Sequence, residues 1–243
     1  MPQSGEHTVK AFDDDIGELR ALVSEMGGIA ETAIGDAMHA LMKRDLETAK
    51  RVVEEDPKLN ELDARCERLA VRLIALRAPM ADDLREAVAA MKIANVLERI
   101  GDYAKNIAKR VPDFEQRGDI EPLSILPAMA QVVSEMVHDV LDAFAARDAD
   151  KALAVIERND AVDDFYNSLF RTLMTYMVEN RHNIALSTHL LFIAKNLERV
   201  GDHAANIGEM VYFAATGEHL ADRYDFVGEP GGTAVPGAAE DEE

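Results

Sequence analysis

Residues 97–108 read LERIGDYAKNIA and residues 197–208 read LERVGDHAANIG, one dodecamer written twice at an offset of 100. Extending the comparison to 93–108 against 193–208 leaves ten of sixteen residues identical, and upstream Asp56-x-x-Leu59-Asn60 matches Asn159-x-x-Val162-Asp163 at an offset of 103. A duplication on this scale asks for a fold of two like units, because each copy of a pattern buries the same face against equivalent neighbours.

The period of the apolar residues says what each unit is made of. They recur at helical spacing almost throughout, predicting six long helices at 8–44, 46–77, 82–111, 122–146, 149–180 and 184–215, and no strand. Asp45, Asp82 and Asp148 stand where N-caps belong, Pro79 separates the second and third segments, and VPDFEQRGDIEPLS breaks the chain in half. With 48% hydrophobic residues but only 5% aromatics and no Trp, the core suits packed helices better than a β-sandwich. The expected architecture is all-α, two pseudo-symmetric three-helix bundles, with residues 8–111 as first repeat, 112–121 as linker and 122–216 as second repeat. The closing GEPGGTAVPGAAEDEE has little to bury, so 226–243 is expected to be a disordered acidic tail.

Charge and cysteine content remove several classes of function. A formal charge of −20 and a pI near 4.7 argue against nucleic acid as a partner, since tracking phosphates needs a basic surface. The single cysteine, Cys66, supplies neither an internal disulfide nor a cysteine-based zinc site and is expected to be a packing residue. No run of about 18 apolar residues occurs, and no basic segment followed by an apolar stretch opens the chain. The expectation is a cytoplasmic protein without direct membrane insertion, able to lie at the inner membrane through partners.

The repeated dodecamer carries the candidate chemistry. At about 100° per residue the apolar stripe of the third helix runs through Ile93, Leu97, Ile100, Ala104, Ile107, Ala108 and Val111, and Glu98, Asp102 and Asn106 lie roughly 150° from its middle. Glu198, Asp202 and Asn206 repeat that column, so each unit is expected to present a carboxylate ladder away from its own bundle interior. A solvated acidic face is the ordinary explanation, but two details speak for more. Carboxylates at i and i+4 repel by about 0.2–0.5 kcal/mol. Gly101 and Gly201 in mid-helix each cost about 0.8–1.0 kcal/mol relative to Ala, which points to a close approach by another helix or a ligand. A bound cation removes the repulsion and, at 100 times its dissociation constant, stabilises the fold by about 2.7 kcal/mol. Oxygen ligands of this kind fit Mg, Ca, Mn or ferrous and ferric iron better than copper or a structural zinc. Further ligands are expected from the second helix of each unit: Asp56, Asn60 and Asp63 in the first, Asp160, Asp163 and Asp164, with Asn159 beside them, in the second.

With the duplicated unit and the twin L-E-R-[IV]-G-D-x-A-x-N-I motifs established, the chain resembles the PhoU family, regulatory proteins of bacterial phosphate-specific transport, over about residues 8–216; DLREAVAAMKI upstream of the first copy also fits. The resemblance implies two three-helix bundles, metal-binding carboxylate motifs falling on Glu98 and Asp102 and on Glu198 and Asp202, and a homodimer. It implies a regulator that restrains phosphate uptake and keeps the sensor kinase from switching on phosphate-starvation genes when phosphate is plentiful. The implied partners are the ATPase subunit of the phosphate ABC transporter (PstB type) and a phosphate-sensing histidine kinase (PhoR type). The sequence departs from the pattern at Tyr103, where His203 stands in the second copy, at Ala185, which matches Arg85, and at Asn60 and Asn159, where carboxylates are expected.

Two other readings compete. A ferritin-like di-iron enzyme uses Glu-x-x-His pairs on facing helices, and Glu135-x-x-His138 and Glu179-x-x-His182 have that spacing. A metal-independent helical scaffold would use the acidic faces only to meet basic partners. No Walker loop, G-x-S-x-G elbow or H-E-x-x-H is present, so a non-enzymatic role is expected. His138 and His189 are expected as packing or surface residues; Met26, Met38, Met42, Met129 and Met136 are candidates for dimer or partner surfaces, with core packing expected for most of them.

Overall fold

A computed structural model describes residues 4–115 and 124–220; the expected tail and most of the expected linker lie outside them. Among the described residues there are eight α-helices and no strand. Six are long: α1 (Ser4–Lys43), α3 (Pro57–Arg77), α4 (Asp82–Ala108), α5 (Leu126–Ala146), α7 (Asn159–Glu179) and α8 (Ile184–Thr216). Two short ones, α2 (Leu46–Glu55) and α6 (Ala149–Glu157), precede α3 and α7.

The short helices divide segments expected to be continuous. Pro57 lacks the N–H that would bond back into α2, and the Leu59 N–H turns instead to the Asp56 carbonyl at 3.0 Å. At the equivalent junction the Ala161 N–H reaches the Arg158 carbonyl at 3.2 Å. These junctions bring Asp56 and Asn159 to the start of the helices that cover the repeated dodecamers.

Each half also stops and restarts its chain by the same device. Arg44 and Arg147 take left-handed backbone angles (φ 58 and 53), and the next residue's N–H closes the previous helix onto Ala40 or Ala143 at 2.9 Å. Asp45 then caps α2, accepting from Glu47 and Thr48, and Asp148 caps α6, accepting from Lys151. Asp82 falls one residue inside α4 rather than at its cap. There its charge meets the helix's positive end and the Arg85 guanidinium, 2.6 Å away.

One apolar core runs through both halves. On α1, Leu19, Val23, Met26, Ala30, Ile34, Ala37 and Leu41 are buried at helical spacing. The predicted stripe of α4 is buried throughout, as are Met26, Met129 and Met136; Met38 is nearly so, and Met42 is exposed. Cys66 is buried, its thiol directed at the Ala90 carbonyl. The two halves meet where α4 packs against α8 and α1 against α5. Helices α4 and α8 run antiparallel: Arg85 lies against Gly217, Tyr103 against His203, and Arg110 against His189. Glu86, buried on α4, is held by Arg20 of α1 and by Arg147 from the other half, an ion pair that ties the repeats together.

Candidate metal centre

Glu198 and Asp202 are one turn apart on α8, and Asn159 and Asp163 are one turn apart on α7, so each pair projects from a single helix face. Gly201 lets the two faces meet. A Cβ there would sit 2.9 Å from Asn159 Oδ1 and 3.1 Å from Val162 Cγ1, inside ordinary contact distance. The space so left is filled by Asn159, whose Nδ2 donates to Asp202 Oδ1 at 3.1 Å.

Around that contact, oxygens of Asp163, Glu198 and Asp202 come within 4.8 Å of one another. Glu198 is only 9% exposed, which corrects the expectation of an outward-facing ladder: the N-terminal part of α7 covers it. Asp202 remains exposed and Asp163 half-buried. Lys195 touches one oxygen of Glu198 from the rim and also lies 5.2 Å over the Tyr166 ring. The second oxygen, Oε2, is buried without a hydrogen-bond partner, and so is Asn159 Oδ1. Burial and then the negative charges of Asp202 and Asp160 push the Asp163 carboxyl above its ordinary value, while Lys195 opposes them. Three crowded carboxylates, one of them with an unpartnered buried oxygen, form a donor set that a hard cation satisfies.

The first half repeats the framework with three differences: Asp56 stands where Asn159 does, Asn60 where Asp163 does, and Lys105 where Ala205 does. Gly101 faces Leu59 of α3, whose Cδ1 a Cβ would strike. Asp56 and Asp102 stand in the places of Asn159 and Asp202, but Lys105 bridges them, 2.7 Å from Asp56 Oδ2 and in contact with Asp102 Oδ1. Glu98 is half-buried beside this group; burial, and then Asp102, Asp63 and Asp56, push its carboxyl up against the pull of Lys105. Asp63 sits one step away, raised by burial against a hydrogen bond from Asn95. Asn60, Asp160 and Asp164 are exposed, and Asp160 and Asp164 reach the second group only through their charge on Asp163. Lys105 goes unmarked by motif alone. Its signal is a Lys three residues after Asp102, within reach of it on one helix face, where the second copy has Ala205.

The Glu-x-x-His pairs do not build a second centre. Glu135 binds Gln131 and Arg158, and His138 is 62% exposed beside Glu31. Glu179 and His182 are both exposed around the turn between α7 and α8.

A PhoU domain is matched twice, over residues 23–111 and 126–211. The chain belongs to the PhoU family. Among PhoU proteins, a phosphate-specific transport system accessory protein PhoU homolog of Zymomonas mobilis is 56% identical over 217 residues, spanning 89% of this chain and 92% of that protein. The homolog of Rhizobium meliloti is 43% identical over 215 residues, spanning 88% of this chain and 91% of that protein. The crystal structure of PhoU from Pseudomonas aeruginosa superposes with a TM-score of 0.82 at 35% identity, covering 85% of this chain and 100% of that one. The phosphate transport system regulatory protein PhoU from Streptococcus pneumoniae gives 0.80 at 29% identity, covering 86% and 99%. Both carboxylate groups draw their motif residues from within the two matched PhoU spans. No helix among the described residues is long and apolar enough to cross a membrane.

Proposed function

We propose that this PhoU-family chain is a metal-associated regulator of phosphate uptake and phosphate-starvation signalling. It acts in the cytoplasm as a homodimer, reaching the inner membrane through its partners. It restrains the phosphate ABC transporter through its ATPase subunit and holds a phosphate-sensing histidine kinase in its repressing state while phosphate is plentiful. The support for the role is family membership across both halves, together with relatives named for the phosphate-specific transport system.

The metal belongs to the same proposal. The observation that carries it is Glu198 Oε2, buried without a hydrogen-bond partner beside the oxygens of Asp163 and Asp202, because a buried carboxylate oxygen is costly unless a donor or a cation meets it, and Lys195 meets only the other oxygen of this group. Glu198, Asp202 and Asp163 would hold the ion, with Asn159 orienting Asp202 through its amide N–H. The oxygen-only set favours Mg, Mn or iron over zinc. The ion would join α7 to α8 and so shape the surface shown to partners.

Deleting the gene is expected to raise phosphate-starvation gene expression in phosphate-rich medium; unchanged expression there would sink the regulatory reading. Cross-linked pull-down from phosphate-replete cells is expected to recover the transporter ATPase or the kinase with the wild-type chain. The variant with Glu98, Asp102, Glu198 and Asp202 all changed to Ala should recover less, as should the wild type after EDTA. Equal recovery in all three would leave a scaffold that works without metal.

A further inference from the structure

The two carboxylate groups relieve their crowding by different means. In the first, the Lys105 side chain is 18% exposed and bridges Asp56 at the α2–α3 junction, itself only 10% exposed, to Asp102 on α4. The ammonium therefore stands between the two helices where a shared cation would have to stand. The second half has Ala205 at the equivalent position, and a methyl group brings no charge to the cluster. Its nearest ammonium, Lys195, approaches from the opposite side and is 43% exposed. It meets a single oxygen of Glu198, leaving Oε2 and Asn159 Oδ1 buried and unpartnered.

We infer that Lys105 is a built-in cation that closes the first carboxylate group to metal, so that this chain carries its metal in the second half alone. The inference rests on reading the second group as a metal site. A divalent ion entering the first group would meet the ammonium at close range and have to displace it. Asp56 and Asp102 would then give up charge-assisted hydrogen bonds, while Lys105 would lose both partners in a largely covered position. The same ion entering the second group displaces nothing that is bound to Asp163 or to Glu198 Oε2.

The two halves consequently respond differently to metal. The α2–α3 junction is fastened to α4 permanently by the lysine. The α6–α7 junction is fastened to α8 by the bond from Asn159 to Asp202, and gains a second tie only when an ion joins Asp163 to Glu198 and Asp202. Metal is then a signal read by one half of a duplicated protein.

The test uses the full chain stripped with chelator and reloaded with Mn²⁺, and separately with Fe²⁺ under anaerobic conditions. Bound metal is counted by mass spectrometry after gel filtration. Glu198→Gln with Asp202→Asn is expected to abolish binding, Lys105→Ala to raise metal per chain about twofold by restoring an open oxygen site, and Ala205→Lys to abolish binding by installing the ammonium in the second half. Hydrogen exchange should slow on loading the wild type at residues 157–166 and 195–206 and stay unchanged at 54–63 and 98–106. Metal retained by the Glu198→Gln, Asp202→Asn chain, or metal on Lys105→Ala no greater than on the folded wild type, would overturn the closure. Should Lys105→Ala fail to fold, Ala205→Lys decides: retained metal there overturns the inference. Metal on Lys105→Ala but none on the wild type would support the closure and remove the second-half site. No metal on any of these proteins would overturn both.

Discussion

Position 103 in the first copy and 203 in the second are where the repeated motif changes its chemistry, and they meet each other. The Tyr103 and His203 rings stack 5.4 Å apart at 17°, with the phenol oxygen 3.1 Å from Nε2. A neutral imidazole accepts the phenol hydrogen there; a protonated one cannot. Burial, and then the positive charges of Arg99 and Arg199, lower the His203 pKa from 6.5, with Asp202 opposing. The unfolded chain therefore takes up this proton first as pH falls. The contribution to stability is complete above 6.5 and is lost progressively as pH drops below it. Between pH of about 7.5 and 5.5, Tm is expected to fall more steeply for the wild type than for His203→Gln; parallel slopes would assign the dependence to another group. Cys66 makes an opposite case. Burial, and then the charge of Asp63, push its thiol up to about 12, so it should resist thiol reagents until the protein unfolds. Rapid labelling of the native chain would contradict that burial.

Among the elements, the mid-helix glycines control how closely the covering helices approach. Replacing Gly with Ala gains about 0.8–1.0 kcal/mol of helix propensity when nothing else changes. At Gly201 the new methyl group would press on Asn159 Oδ1 and both methyls of Val162, so a net loss of about 1–3 kcal/mol is expected from overpacking. At Gly101 the obstacle is the end of the flexible Leu59 side chain, which can turn aside, and the loss should be smaller. Thermal unfolding of the two variants tests the ordering. Gly201→Ala should also weaken Mn²⁺ binding, because it moves α7 away from α8; full metal affinity in that variant would separate the glycine from the site.

For the molecule as a whole, the shared core sets the limit on independence of the repeats. Helix α4 serves the first bundle with one face and α8 with another, and Glu86 on α4 is paired with Arg147 from the second half. Residues 1–115 expressed alone should therefore self-associate or aggregate, having lost the partner for Tyr103 and Arg110; a stable monomer by light scattering would show that the seam is dispensable. Metal should act on the global transition as well. At 100 times its dissociation constant an ion that binds only the folded chain adds about 2.7 kcal/mol. The expected rise in Tm on adding Mn²⁺ should vanish in the Glu198→Gln, Asp202→Asn variant.

The repeat, the six long helices and the buried stripe of α4 were legible in the sequence because each follows from residue order, and a helix presents its faces at a spacing that the positions of the apolar residues reveal. The caps at Asp45 and Asp148 were legible for the same reason, being short-range bonds between neighbours in the chain. Even the glycines announced a close neighbour. Which neighbour it was, and what it brought, was decided only when the helices packed. Glu198 and Glu98 hold the same place in one motif, yet Glu198 is buried and Glu98 half-buried, because α7 and α3 cover them differently. Lys105 looks like an ordinary helix-surface lysine until Asp56, 49 positions earlier, is folded against it. Periodicity sets the direction in which a side chain leaves its own helix; the charge that it finds there comes from another helix, and the distance between them is a property of the tertiary structure alone.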